Sequence, residues 1–135
     1  MKTFVVDTNV LVSALLRADT PPASVLRQIA AQALVPVVSA AIVAEYRAVL
    51  PRPRLRLRAD DIEELLLLIE AQAQWVDVPA YDGRPALPDP ADWPFIACAL
   101  AAGCPVITGN ARHFPKALGV SVVTAREWVD SSRPS

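Results

Sequence analysis

The tightest constraint on this chain lies near its start, where the apolar run Phe4-Val5-Val6 stops at Asp7 and continues as Thr8-Asn9-Val10. An unbroken run of β-branched and aromatic residues, with no polar alternation, describes a strand buried on both faces, as in a parallel sheet. Parallel neighbours cannot be joined by hairpins and need crossover helices. Open sheets of this kind bind ligands beyond the carboxyl ends of their strands, so Asp7 stands where chemistry is expected.

The rest of the chain supplies those crossovers. Thr8 is placed to cap a helix whose buried face carries Val10, Leu11, Ala14 and Leu15. Pro21-Pro22 opens a second helix with Val25, Leu26, Ile29, Ala30 and Ala33 on its stripe. Leu34 to Val38 reads as a short strand, assigned to a sheet edge because Pro36 lacks an N–H. Ser39 then caps a helix whose stripe Ile42, Glu45, Tyr46, Val49 and Leu50 contains one acid, predicting that Glu45 faces inward.

Pro51-Arg52-Pro53 breaks that helix, and the next one starts near Ala59-Asp60-Asp61 with Ile62, Leu65, Leu66 and Ile69 inward. Trp75 to Pro79 is a third candidate strand, followed by a polar loop at Tyr81-Asp82-Gly83-Arg84. A helix of Phe95, Ile96, Ala99, Leu100 and Ala102 ends at Gly103. Residues 105–108 and 120–123 read as the last strands, before a short helix with Trp128. Strands alternating with helices predict a parallel α/β sandwich in which polar groups ending the first and fourth strands converge.

The chain has 135 residues, enough for one domain to bury roughly two thirds of its unfolded surface. We assign residues 1–130 to that domain and 131–135 to a frayed tail. A net charge of −1 excludes polyanion binding through a general basic field; a nucleic acid would have to meet local basic groups. Cys98 and Cys104 have no partners at zinc-like spacing and read as reduced core thiols of a cytoplasmic protein. Asp7 and Asn9 interrupt the apolar start, predicting a strand and not a signal peptide, and the apolar block 65–69 is too short to span a bilayer.

Candidate chemistry resides in Asp7, Glu45, Asp92 with Asp89 three residues earlier, and Asn110 just after a strand. Each has a plain structural reading: an Asx turn for Asp7, helix caps for Asp92 and Asn110, a turn start for Asp89. Glu45 resists most, because a carboxylate on an apolar stripe must find a cation such as Arg47, shift its pKa, or line a cleft. If Asp7, Glu45 and Asp92 converge, carboxylates about 4 Å apart repel by about 4 kcal/mol at an effective dielectric near 20. Lysine occurs only at positions 2 and 116, so a divalent ion is the natural counter-charge. An all-oxygen site suits Mg²⁺ or Mn²⁺, which acidify bound water and can drive phosphodiester hydrolysis.

Four stretches together resemble the PIN domain: Val5-Val6-Asp7-Thr8-Asn9; Glu45-Tyr46-Arg47; Asp89-Pro90-Ala91-Asp92 before Phe95-Ile96-Ala97; and residues 108–115, from Thr108-Gly109-Asn110 to Phe114-Pro115. The likeness runs in order through nearly the whole chain and is strongest to VapC toxins of bacterial toxin–antitoxin systems. It implies a PIN-like, Rossmann-like three-layer sandwich and a metal-dependent ribonuclease site. Family metal ligands map onto Asp7, Glu45 and Asp92, with Asn110 at the fourth position, Asp89 an extra candidate, Thr108 a polar supporter and Asn9 a neighbour holding the Asp7 loop. Many relatives carry Asp where this chain has Asn110, and an amide adds no charge. The likeness also implies an RNA substrate, a cognate antitoxin and a homodimer.

Arg52, Arg54, Arg56 and Arg58 alternate with Pro53, Leu55 and Leu57, so an extended segment would align their guanidinium groups. That side would bind RNA phosphates, or be a solvated loop or a surface for an acidic partner. Trp93 reads as packing and His113 as a structural loop residue. The reading is thus a Mg²⁺- or Mn²⁺-dependent endoribonuclease, the toxin of a type II pair, or alternatively a PIN-like module that binds RNA or protein without cleaving. A receiver domain or dehalogenase-type phosphatase fits less well: no lysine is suitably placed, and position 9 is Asn where a phosphatase needs a second Asp.

Overall fold

The computed structural model describes residues 2–79, 87, 90–114 and 119–132. Five parallel strands form one sheet in the order β3-β2-β1-β4-β5. They are β1 (Lys2–Val6), β2 (Leu34–Val38), β3 (Gln74–Trp75), β4 (Val106–Ile107) and β5 (Val122–Val123). The helices are α1 (Thr8–Leu16), α2 (Pro21–Ala30), α3 (Ala40–Val49), α4 (Ala59–Gln72), α5 (Trp93–Ala102) and α6 (Ala125–Ser132). The α/β sandwich expected from the sequence is the one observed.

The central strand β1 explains the opening run. Val5 and Val6 are buried, paired with β4 at Val106 and Ile107, while Lys2, Thr3 and Phe4 pair with β2. One face is covered by α5, packed across β1, β2 and β4, with α3 beside it. On the other, α2 is flanked by α1, α4 and α6, and Trp128 of α6 stacks on Phe4 at 5.3 Å. Strand order reverses between β1 and β4, which opens a crevice at their carboxyl ends.

Several expectations are corrected. β2 is interior, between β1 and β3. Pro36 is tolerated because backbone groups alternate sides: Val38 offers its carbonyl to Val76 on the β3 side, and β3 pairs only from Val37 onward, leaving the Pro36 nitrogen with no ladder bond to lose. β3 has two residues, Gln74 and Trp75, both exposed, instead of the expected five. The arginine segment is not extended: a 3₁₀ turn at Pro53–Leu55 and Arg56 at φ 56° break the alternation, as the fixed φ of Pro53 favours. All four arginines are exposed but share no strand face. α6 continues through Ser132, with the Ser131 hydroxyl donating to the Trp128 carbonyl, so residues 131 and 132 are helical.

Helix ends follow local chemistry. Gly103 stops α5 at φ 66°, where a side chain would be strained. Thr124 and Glu127 form a reciprocal capping box at the start of α6, a pattern already present in Thr124-Ala125-Arg126-Glu127 but missed in reading the sequence. Cys98 and Cys104 are free and buried. Burial and the neighbouring Cys104 push the Cys98 thiol up to about 11, and burial also raises that of Cys104, so both stay protonated. Among the described residues no helix is long and apolar enough to cross a membrane.

Candidate active site

Asp7 occupies the N-cap position of α1, where Thr8 was expected, and its backbone carbonyl accepts from the Val10 amide at 3.0 Å. Its side chain makes no capping bond. Instead Oδ2 accepts a 2.6 Å hydrogen bond from the hydroxyl of Thr108, the residue that follows β4. The same Thr108 oxygen accepts the Asn110 amide at 3.0 Å, which folds the turn after β4 back toward the carboxylate. Since the Thr108 proton goes to Asp7 and its lone pair faces Asn110, one hydroxyl fixes both groups. This is the convergence of the first and fourth strand ends anticipated from sequence.

The Asp7 and Thr108 side chains are nearly dry. Thr108 is 0%, Asp7 3% and Asp92 8% exposed. Tyr46 of α3 donates to the carbonyl of Val6, immediately before Asp7, at 2.5 Å. Burial, then the Asp7 charge, then Cys98 drive the Tyr46 pKa far above the ordinary tyrosine range, so it persists as a donor clamping α3 to the end of β1. Tyr46 also lies against Phe95 in the first turn of α5, ring centroids 6.1 Å apart, linking β1 to the helix that Asp92 precedes. No sequence signal beyond its place on the stripe marked Tyr46 for this role.

The other expected residues are placed as follows. Asp92 is the N-cap residue of α5 by backbone position, without a capping bond from its side chain. Glu45 is half-buried, while Ile42, Val43, Tyr46 and Val49 are the buried residues of α3, so Glu45 sits at the rim of the stripe. Arg47 pairs with Glu70 of α4. Trp93 is buried in the core. Asp89, the loop at Tyr81-Asp82-Gly83-Arg84 and the side chain of His113 lie outside the described residues. Asn9 and Asn110 are exposed and line a cavity of about 330 Å³ beside the strand ends, bounded by the first turns of α1, α2 and α6 and including Ser13 and Arg126, which sequence reading did not single out.

The donor chemistry fits a hard divalent ion in kind: buried carboxylates at Asp7 and Asp92, and the hydroxyl of Thr8, whose buried Oγ1 has no hydrogen-bond partner among the described residues. Among those residues, however, no three Asp, Glu, His or Cys side chains are gathered at metal-holding distance. The geometry therefore brings together Asp7, Thr108 and Asn110, and leaves Glu45 at the edge.

Residues 3–112 match the family model of the PIN domain. No curated protein and no solved structure matches the chain.

Proposed function

The chain belongs to the PIN domain family, whose members are typically nucleases using divalent metals, and from that premise we propose that it is a Mg²⁺- or Mn²⁺-dependent endoribonuclease, the toxin of a type II toxin–antitoxin pair. The observation that carries the reading is the buried Asp7 carboxylate, withheld from capping its own helix and held by Thr108 at the strand-order reversal. A buried carboxylate at such a crevice stands where open parallel sheets bind their ligands. Asp7 and Asp92 would hold the ion, with Glu45 completing the set and Asp89 a further candidate. When bound, the ion supplies Lewis acidity and an acidified water for attack at an RNA phosphorus.

The chain's own groups prepare that site. Thr108 orients Asp7 through Oδ2, and the Asn110 amide fixes Thr108 in turn. Tyr46 ties α3, and with it the neighbouring Glu45, to the end of β1. The toxin role rests on the likeness of the four motifs to VapC proteins, and brings with it a cognate antitoxin and a homodimer. Two buried, protonated thiols suit a reducing cytoplasm.

The test is cleavage of total RNA with and without Mn²⁺ by the natural chain and by Asp7→Asn. Metal-dependent fragments from the former and none from the latter are expected; equal activity would overturn the assignment. Melting curves in EDTA and in Mg²⁺ should differ. The neutral Asn110, where many relatives carry an acid, favours one alternative, a module that binds RNA or protein without cutting. RNA binding by the metal-replete natural chain with no cleavage would select it.

A further inference from the structure

The cavity beside Asp7 is not needed to hold a metal ion, and its lining has a chemistry of its own. Its volume, about 330 Å³, is at the lower end of the range of small-molecule pockets, room for one nucleotide-sized group. Pro21 and Pro22 present apolar rings on one side. Asn9 and Asn110 offer side-chain amides, Ser13 a hydroxyl, and Arg126 is the one charged residue of the lining among the described residues. Three separate elements, α1, α2 and α6, thus contribute to a single concavity that abuts the Asp7–Thr108–Asn110 network.

Each component matches part of a nucleotide. RNA approaching a site with buried carboxylates is repelled, and the net charge of −1 provides no compensating field, so a local cation is required. Arg126 supplies it in the first turn of α6, whose start is fixed by the Thr124–Glu127 capping box. Amide side chains pair with base edges through a donor and an acceptor at once, and single-stranded RNA can splay a base outward to be read this way. The exposed amides of Asn9 and Asn110 have this capacity, and Asn110 is held in place by its own backbone bond to Thr108. The absence of a negative charge at position 110 then has a use: an Asp there would repel the phosphate that Arg126 attracts.

Resting on the nuclease reading, we propose that this cavity is the subsite for one nucleotide of single-stranded RNA next to the cleaved bond, with Arg126 on a phosphate, Asn9, Asn110 and Ser13 on the base or ribose, and the two prolines against its flat face. Asn110 is then a substrate-reading residue and not a metal ligand.

The experiment titrates the four nucleoside 5′-monophosphates, with inorganic phosphate as control, into metal-free Asp7→Asn protein and follows binding by NMR or calorimetry. At least one nucleotide should bind more tightly than phosphate. Arg126→Ala and Asn110→Asp should each weaken it by about tenfold or more, as loss of a charge-assisted or base-edge contact predicts. Arg17→Ala, an exposed change outside the cavity lining, should not. Arg126 is exposed, so its replacement should not disturb folding; thermal melts check this. Absence of nucleotide binding, affinity no better than phosphate, or binding indifferent to both substitutions would overturn the subsite. Nucleotide binding without RNA cleavage by the natural chain would refute the nuclease reading and leave the subsite standing. Cleavage whose KM ignores Arg126→Ala would do the reverse.

Discussion

β1 and β2 are adjacent, parallel, and each enters a helix through one buried polar residue, yet Ser39 and Asp7 use their side chains differently. Ser39 accepts the Ile42 amide at 3.2 Å and so caps α3. Asp7, in the equivalent place before α1, makes no capping bond and accepts from Thr108, 101 residues away in sequence. The difference follows from the neighbours: β1 borders β4, where strand order reverses, whereas β2 lies between β1 and β3. Asp alone among good N-caps carries a charge at neutral pH, and here that charge is given to the crevice.

The largest test of this contrast is Asp7→Asn. RNA cleavage should fall by about two orders of magnitude or more, as for other losses of preorganised site groups, while the melting temperature holds or rises. A variant that instead kept its activity and lost stability would place Asp7 in the same structural class as Ser39. Next is Thr108→Val, which removes a donor to a buried charge without changing side-chain shape. Denaturant unfolding should show a loss of about 1.5–3 kcal/mol, accompanied by reduced cleavage, and Thr108→Ser should recover most of both. Unchanged stability would mean that the 2.6 Å contact carries no weight.

Ser39→Ala sharpens the other side of the comparison: about 1 kcal/mol of stability should be lost with the cap, at constant cleavage rate. The smallest effect, absent at neutral pH, comes from protons. Cys98, Cys104 and Tyr46 have raised pKa values in the folded chain, against ordinary values of 9.0 for the thiols and 10.0 for the phenol. The unfolded chain therefore releases these protons first, so stability is complete below about pH 9 and declines as pH rises past 9 and then 10. Urea midpoints measured from pH 7 to 11 should show this decline, and Tyr46→Phe should flatten its upper part.

Much of the fold was legible because burial writes local patterns. Val5 and Val6 marked a doubly covered strand, and Pro21, Ser39 and Gly103 marked helix ends, since each acts through its own backbone. Pro36 misled because its edge rule concerns a ladder bond, and whether that bond exists depends on how far β3 extends. The arginine alternation misled because Pro53 turns the chain where side-chain spacing alone implied extension. On α3 the buried set is Ile42, Val43, Tyr46 and Val49, which leaves Glu45, expected to face inward, half-buried at the rim.

By itself, the sequence determined that a buried parallel strand ends at Asp7, that helices cross between the strands, and that the chain carries the motifs of the PIN domain. These are matters of residue type and short spacing, expressed within a few residues. Only the tertiary structure decided that Thr108 holds Asp7, that Tyr46 clamps α3 to Val6, and that Asn9, Asn110 and Arg126 share one cavity. Those pairings join residues up to 117 positions apart. Nothing local distinguishes their partners until strand order and helix packing bring them together.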